Sequence, residues 1–407
     1  MLTGQLLELI FESASIQRWN DHIRPPQGFT ELDKQAHKMM YAYVLGKLEE
    51  ESDSGMDFDW VRLIEGGLFE FLHRIKLTDI KPPVFHKIME EKGAEINRWV
   101  LEQYEEVLGQ VDGELFARFQ EYLTEHEYSY AEKQILKASH YLATQWEFTH
   151  IDRLNQGLYG LENERESIRG RLKEHGSLAG VRSLRVDTNI HNFMDLVGQL
   201  RFQQRWGHSP RIPQTSVLGH VLVVAVIAFF ASLDLDACPK RLYNNYLCGL
   251  FHDLPEVLTR DIVAPVKRSI PDLDRIIKSI ESSWFEERIY PLLPDTWHDE
   301  IRYFVEDEFA DRIRIDGKRV NTEVTPAHNA DCYDPLDGTV VKACDQLAAY
   351  VEAFLSIRHG IRSNHLKDGL LIYHMYEGEK GIVSGVDFGP VFAYFNPEEL
   401  GLRKPIR

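Results

Sequence analysis

The chain has 407 residues, of which 43% are hydrophobic, and its formal net charge at pH 7 is −18. This length exceeds what one hydrophobic core usually serves, so two domains or one double-lobed body is expected. The acidic balance argues against broad binding of nucleic acid or of an anionic membrane, because a surface that docks phosphate groups is normally basic. A small anionic substrate stays compatible with this charge if a metal or a few local cations supply a positive field.

The termini and cysteines indicate the cellular compartment. The sequence MLTGQLLELIFESAS at the N-terminus lacks a basic segment, which predicts a first amphipathic helix and not a signal peptide. The longest apolar run, Val221 to Ala231, is too short to span a bilayer and predicts a buried helix. No CxxC pair occurs among the four cysteines, a pattern typical of reduced thiols. We therefore expect a soluble cytoplasmic protein with no membrane partner.

Apolar residues recur at three- and four-residue spacing through the first 150 residues, and strand patterns are nearly absent there. Proline-rich turn clusters separate these amphipathic stretches. The pattern predicts an all-α fold. The helices predicted in this half are Leu6 to Trp19, Asp33 to Glu51, Trp60 to Ile75, Ala94 to Leu108, Leu115 to Glu125 and Tyr130 to Phe148.

Residues 151–186 mix charges with glycines, which predicts a linker between two halves, with or without a short helix of its own. We expect a loop at 313–337 and a small irregular C-terminal extension at 361–407, which either lacks regular structure or holds a small β hairpin. The helices predicted in the second half are Ile190 to Trp206, Val217 to Leu233, Lys240 to Asp253, Leu273 to Pro291, Asp299 to Glu308 and Thr339 to Arg358.

Short motifs of the first half return in the same order in the second half. Arg18-Trp19 returns as Arg205-Trp206, and the Gly-Leu-Phe sequence at 67–69 returns at 249–251. This order predicts a tandem duplication, with a degenerate domain at 1–150, a linker at 151–186, an active domain at 187–360 and an extension at 361–407.

The duplication provides an internal comparison of possible metal ligands. In this register, His37, Glu70, Phe71, Arg74 and His140 take the places of His220, His252, Asp253, Glu256 and Asp345, while Asp79 corresponds to Asp261. A phenylalanine and an arginine in place of acids disfavour a metal cation. The sequence therefore predicts one active half and one half without a metal site.

The stretch from Gly249 to Lys267 carries the strongest chemical signal. It combines the adjacent pair His252-Asp253 with two further acids, Glu256 and Asp261. An imidazole and a carboxylate side by side suit a divalent cation that holds and activates a water. Taken singly, a His-Asp pair is also typical of a polar helix end and a lone histidine of a satisfied core residue, so the prediction depends on the whole set.

This ordered set resembles the HD superfamily of metal-dependent phosphohydrolases, and within it the bacterial 5′-deoxynucleotidases. The likeness covers roughly residues 190 to 360 and implies the release of phosphate from (deoxy)nucleoside 5′-monophosphates by metal-activated water. The residues that carry it are Arg205-Trp206, His220, His252-Asp253 with Glu256, Thr259 and Asp261, Pro265-Val266-Lys267, and Asp345.

The resemblance also implies individual roles. The implied metal ligands are His220, His252, Asp253 and Asp345, and the cation is a borderline one such as Mn²⁺, Co²⁺, Zn²⁺, Fe²⁺ or Ni²⁺. The implied catalytic acids are Glu256, as general base or water-positioning group, and Asp261. The implied substrate-binding residues are Arg205, Trp206, Asp261, Ile262, Val263, Ala264 and Lys267. Ala264 stands where the resembled enzymes have a hydroxyl side chain, so the hydrogen bonding to phosphate is expected to differ.

Several questions stay open in the sequence. The chain could be a sensor or scaffold that binds a nucleotide without turnover, with the degenerate half as a partner surface. HD folds also host oxygenases with two irons, which would need further ligands, and the sequence does not place His298 or His328 near the pair. We also hypothesise that the halves form an intramolecular pseudo-dimer, because the resembled enzymes are homodimers. The sequence does not decide whether the chain forms homo-oligomers.

Overall fold

The computed structural model describes residues 2–19, 29–53, 56–260, 262 and 270–401. Among these residues the chain forms two compact units: unit 1 falls within Met1–Glu8 and Gln203–Arg407, and unit 2 within Leu9–Phe202. Helices dominate both units, and the strands of the described residues form two short hairpins. The predicted all-α class is confirmed.

The helices of the N-terminal part begin with α1, which contributes to both units. They are α1 (Gly4–Glu12), α2 (Glu31–Glu50), α3 (Trp60–Leu77), α4 (Pro82–Gly109), α5 (Gly113–Thr124), α6 (Tyr130–Leu154), α7 (Leu161–Glu174), α8 (Ala179–Val186) and α9 (Thr188–Gln199). Helix α4 begins twelve residues earlier than predicted, with a kink at Lys92, where φ is −138°. Residues 151–186 contribute α7 and α8, which pack on α6 and α2.

The remaining elements belong to unit 1. Its helices are α10 (Val217–Asp234), α11 (Pro239–Phe251), α12 (Glu256–Thr259), α13 (Leu273–Arg288), α14 (Asp295–Val305), α15 (Gly338–Arg358), α16 (Asn364–Gly369) and α17 (Gly389–Tyr394). Strands β1 (Arg312–Ile315) and β2 (Lys318–Asn321) pair antiparallel, as do β3 (Ile382–Val383) and β4 (Val386–Asp387).

The predictions for the segments 313–337 and 361–407 have different outcomes. The loop predicted at 313–337 is wrong in its first part, because the β1–β2 hairpin turns through Asp316 and Gly317, both with positive φ. The C-terminal extension holds the small hairpin that was one of its two predicted forms, together with α16 and α17. The units change over between residues 202 and 203, and the predicted domain boundaries at 150, 186 and 360 remain predictions.

Helix α10 is the core of unit 1. The Ser216 hydroxyl caps it by accepting a hydrogen bond from the Gly219 amide. By length and composition α10 could cross a membrane, but 89% of it is buried inside the protein. Helix α11 approaches it closely at Gly249, where an added Cβ would lie 2.9 Å from the Ala225 Cα. This close approach brings the end of α11 towards His220 on α10.

Helix α2 is the core of unit 2, but it buries charges as well as apolar groups. Glu31 is fully buried and accepts a hydrogen bond of 2.8 Å from Arg18. Arg18 and Arg201 both donate to buried Glu147, over 3.0 and 2.9 Å. Because unpaired buried charges are strongly destabilising, the loss of one member of this network should destabilise unit 2. Burial alone would raise the pKa of Glu31, but Arg18, Lys34 and Arg74 lower it to about 2.

We predict that Glu31→Gln lowers the free energy of unfolding by about 3 kcal/mol at neutral pH, because the folded protein holds the pKa of this carboxyl at about 2 instead of the ordinary 4.5. A depressed carboxyl pKa stabilises the fold above the ordinary pKa, and that contribution disappears as pH falls towards 2. The deficit of the variant should therefore shrink between pH 4.5 and 2. Urea unfolding at several pH values measures it.

The matched control is Glu102→Gln, which changes an exposed glutamate on α4. It should follow the wild-type stability within about 0.5 kcal/mol at every pH. A Glu31→Gln deficit that stayed constant between pH 7 and pH 3 would contradict the role assigned to the Glu31 carboxylate.

Candidate metal centre

All four predicted metal ligands lie in one cluster of unit 1. Ligand atoms of His220, His252 and Asp253 lie within 4.8 Å of one another. Asp345, on α15, joins them because its Oδ1 lies 2.9 Å from the His220 Nε2. Residues separated by 125 positions in the sequence thus meet at the point where α10, the end of α11 and α15 come together.

The cluster offers ligand atoms that the protein does not otherwise use. The His252 Nδ1 donates to the Gly249 carbonyl over 2.8 Å, which leaves its Nε2 for a ligand. This Nε2 and the Asp253 Oδ2 lie 3.3 Å apart, are buried, and make no hydrogen bond to any described residue. Buried polar atoms without partners are costly. Two imidazoles and two carboxylates suit a borderline divalent cation, so the residues fit the predicted metal.

The electrostatics of the cluster favour positive charge. Burial lowers the pKa of His252, but Asp253 and Asp345 outweigh it and raise that pKa to about 9. His252 in turn lowers the pKa of Asp253 against the effect of burial. The two carboxylates therefore hold a proton on the imidazole in the absence of a metal, and a bound cation would replace that proton.

A buried carboxylate that the sequence analysis missed supports this cluster. Glu352 lies on α15, two turns after Asp345, and accepts hydrogen bonds from the Trp206 indole (2.9 Å) and the Thr215 hydroxyl (2.6 Å). Its Oε1 also lies 3.4 Å from the His220 Nδ1. The only signal in the sequence was an acid seven residues after Asp345 in an apolar run. Glu352 thereby holds both a metal ligand and the predicted substrate tryptophan.

Arg205 and Trp206 face different parts of the site. The Arg205 guanidinium lies 3.8 Å from the Asp253 Oδ2 and 4.0 Å from the Asp345 Oδ1. Trp206 has a positive φ of 57°, and its ring passes so close to Gly369 that an added Cβ there would lie 2.6 Å from it. The C-terminal extension therefore helps to fix the indole, while the arginine points to the metal cluster.

Glu256 lies at the start of α12, behind the break that Pro255 makes after His252. It is buried and lines a cavity of about 320 Å³ together with His252, Asp253, Phe285 and Tyr290. The cavity lining also includes further acids and one lysine. These are Lys278, Glu281, Glu306, Asp307 and Glu308. The cavity thus joins the metal cluster to a predicted catalytic acid.

The remaining predicted residues have no described place in the site. Asp261, Val263, Ala264 and Lys267 lie outside the described residues, and Ile262 is described and half-buried. His298 hydrogen-bonds with the Tyr290 and Leu293 carbonyls, and His328 caps a short turn at Thr325. In the described part of the chain, neither histidine belongs to the cluster of His220, His252 and Asp253.

In this all-α unit His220, the His252-Asp253 pair and Asp345 gather around one point, a donor set that fits a divalent cation. A family model described as an HD domain matches residues 197–372. This match identifies residues 197–372 as an HD domain, the superfamily that the sequence predicted for this part of the chain. No solved structure matches the chain.

Three curated relatives are each named 5′-deoxynucleotidase. The protein of Photobacterium profundum is 24% identical over 175 residues, or 42% of this chain and 76% of the relative. The protein of Vibrio cholerae is 25% identical over the same lengths. That of Vibrio atlanticus is 29% identical over 120 residues, so the match covers only 60% of its length and 28% of this chain. This similarity supports a metal-dependent phosphohydrolase without fixing its substrate.

We predict that Glu352→Gln weakens metal binding by about 10- to 100-fold, because a neutral amide supports His220 less well than a carboxylate. The substitution keeps the size of the side chain. Elemental analysis after dialysis against graded metal concentrations measures the affinity. Circular dichroism checks that the helices are retained.

The control is Glu379→Gln, at an exposed glutamate of unit 1. It should bind metal as the wild type does. If Glu352→Gln also matched the wild type, the Glu352 carboxylate would have no part in holding the metal centre.

Proposed function

We propose that the chain hydrolyses (deoxy)nucleoside 5′-monophosphates to nucleoside and phosphate. The observation that carries the proposal is the cluster of His220, His252, Asp253 and Asp345 with the Arg205 guanidinium beside it. The relatives named 5′-deoxynucleotidase support the substrate class. The physiological partner is then a small-molecule nucleotide and not nucleic acid or a membrane, and the location is cytoplasmic.

In this proposal His220, His252, Asp253 and Asp345 hold a divalent cation, which when bound acidifies a water and draws charge from the phosphoryl oxygens. Glu256 takes a proton from the attacking water, as its place in the same cavity as His252 supports. The water oxygen bonds to phosphorus, the bond from phosphorus to O5′ breaks, and O5′ receives a proton. Asp261 is proposed as the second acid that handles these protons.

Arg205 and Trp206 are proposed to position the substrate. The planar guanidinium of Arg205 suits two phosphate oxygens at once. The Trp206 indole, held by Glu352 and packed on Gly369, offers a rigid wall for the sugar. A wall that does not yield would disfavour a 2′-hydroxyl. The backbone at Ile262, Val263 and Ala264, with Lys267, is proposed as the remaining phosphate contact.

We further propose that unit 2 is a degenerate copy of the HD fold, as the repeated motifs predict. The Trp19 indole donates to Glu147 over 2.9 Å, just as Trp206 donates to Glu352. Both tryptophans have a positive φ, of 59° and 57°. Arg18, before Trp19, also lies against Glu147, and Arg205, before Trp206, also lies against Glu352. A positive φ at the tryptophan and a buried glutamate as its partner occur in both units, which supports common descent better than the sequence motifs alone.

We predict that protein loaded with Mn²⁺ or Co²⁺ releases phosphate from a panel of deoxyribonucleotides, ribonucleotides and simple phosphate esters, and that chelation abolishes this activity. Glu256→Gln should lower kcat by about 10²- to 10⁴-fold, because it removes a general base. Its metal content should not change, since Glu256 is not a proposed ligand. Phosphate release and elemental analysis measure the two effects.

Glu287→Gln, at an exposed glutamate of α13, is the control and should keep the wild-type kcat. No phosphate release from any ester by a metal-loaded sample would contradict the enzyme proposal. Nucleotide that binds without being cleaved, with no effect of Glu256→Gln, would favour a sensor or scaffold instead.

A further inference from the structure

Unit 2 places a lysine where unit 1 has its first metal ligand. Lys34 and His220 are each the fourth residue after the capping residue of their helix, Thr30 on α2 and Ser216 on α10. The Lys34 Nζ lies 2.7 Å from the His140 Nδ1, as the His220 Nε2 lies 2.9 Å from Asp345. Lys34 is therefore the structural counterpart of His220.

The sequence register instead paired His37 with His220, and the structure corrects it. His37 is the seventh residue after its cap, and its Nε2 lies 3.2 Å from the Met194 carbonyl. Its ring packs edge-on against Trp146. His37 is thus a core histidine of unit 2 and not the remnant of a metal ligand.

The exchanged positions reverse the charge of the site. In unit 1 they are His220, His252, Asp253, Glu256 and Asp345, and their counterparts in unit 2 are Lys34, Glu70, Phe71, Arg74 and His140. Three carboxylates, with no lysine or arginine among them, become one carboxylate with a lysine and an arginine. The arginine, and the lysine when it is protonated, place positive charge where unit 1 would hold a divalent metal, and positive charge attracts a phosphate group.

Much of this positive charge lacks a close partner. The one carboxylate, Glu70, is engaged by Lys38 over 2.6 Å. Arg74 reaches Glu31 and Asp79 only at 3.7 and 3.8 Å, and its Nε makes no hydrogen bond to any described residue. The close partner of the Lys34 Nζ is the His140 ring, which is not an anion.

The titration of these groups supports an excess of positive potential. Burial lowers the pKa of Lys34 well below its usual value, and nearby Arg18 and Arg74 lower it further against the pull of Glu31 and Glu147. Burial also lowers the pKa of His140, and Lys34 is the largest charged contributor. A bound anion would relieve this repulsion.

The cluster is open to solvent on one side. The Arg74 side chain is 12% exposed and that of Asp79 is 22% exposed, whereas Lys34 is fully buried. The Glu70 side chain is 26% exposed. Arg74 is therefore the cation of this cluster that solvent reaches, and the proposed anion would contact it first.

We propose that unit 2 binds a phosphate monoester dianion, such as that of a nucleoside monophosphate, at Arg74 and Lys34 without a metal and without hydrolysing it. Phe71 and Arg74 stand there in the places of Asp253 and Glu256, so the described residues of unit 2 offer no counterpart of that ligand or of that base. The inference rests on the proposal that unit 2 is a degenerate HD copy, but it does not need unit 1 to be active.

The test is calorimetric titration of the full chain, stripped of metal by chelation, with inorganic phosphate and with dAMP. We expect both probes to bind, and Arg74→Met to weaken binding by about tenfold or more, because a charge-assisted contact is lost. Arg74→Lys should restore part of the affinity. Arg98→Met removes an exposed arginine of α4 and should leave binding unchanged.

Arg205→Met separates the two units. Metal-free binding that survives Arg205→Met but falls with Arg74→Met supports the site in unit 2. Binding lost with Arg205→Met and kept with Arg74→Met belongs to unit 1 and overturns the proposal, as does an absence of binding by the wild type. Phosphate release by metal-loaded protein is measured separately, so its failure would count against the proposed hydrolase and not against this site.

Discussion

In each unit, a buried glutamate accepts a hydrogen bond from a tryptophan indole, and the arrangement of the residues around it depends on this interaction. Glu352 fixes Trp206 and stands against His220, and Glu147 fixes Trp19 and pairs with two arginines. Burial would raise the pKa of Glu352, but Arg211 and His220 keep it well below its usual range. A buried carboxylate that stays ionised needs hydrogen-bond donors or cations around it. The residues around each glutamate supply them.

The two units surround their buried glutamates with different residues, and the difference follows from their central helices. Helix α10 is almost wholly apolar, so His220 is the polar group that it brings to the site. Helix α2 buries Glu31, Lys34 and Lys38 along one stretch, and these residues need partners from α3 and α6. In unit 1, the apolar helix α10 leaves the carboxylates of the cluster to be neutralised by an exchangeable cation. In unit 2, Lys34 and Lys38 of α2 contact side chains of α6 and α3 instead.

The fold class was predictable because helical periodicity predicts helices wherever it persists. The His252-Asp253 pair with its neighbouring acids indicated a metal site, and the resemblance to the HD superfamily added His220 and Asp345 as further ligands. The role of Glu352 was not predictable, since an acid in an apolar helix gains its meaning only from the Trp206 and Thr215 side chains that reach it. Lys34 was missed for a related reason: sequence matching favoured histidine with histidine, whereas the helix cap sets the true register.

The replacement of metal ligands by a lysine and an arginine would also affect catalysis. A divalent cation can both attract a phosphate and deliver an acidified water to it, whereas an ammonium and a guanidinium can only attract. On the proposal that unit 2 is a degenerate HD copy, exchanging His220 and Glu256 for Lys34 and Arg74 separates binding from turnover by changing few side chains. Unit 2 has an arginine and a tryptophan beside a buried glutamate, as the proposed substrate site of unit 1 does. Had selection kept unit 2 only as packing material, apolar residues would fill these positions at lower cost than buried ions, which are stabilising only when each is paired. The retention of charge at Lys34 and Arg74, where close pairing is weakest, is the feature that structural support alone does not explain.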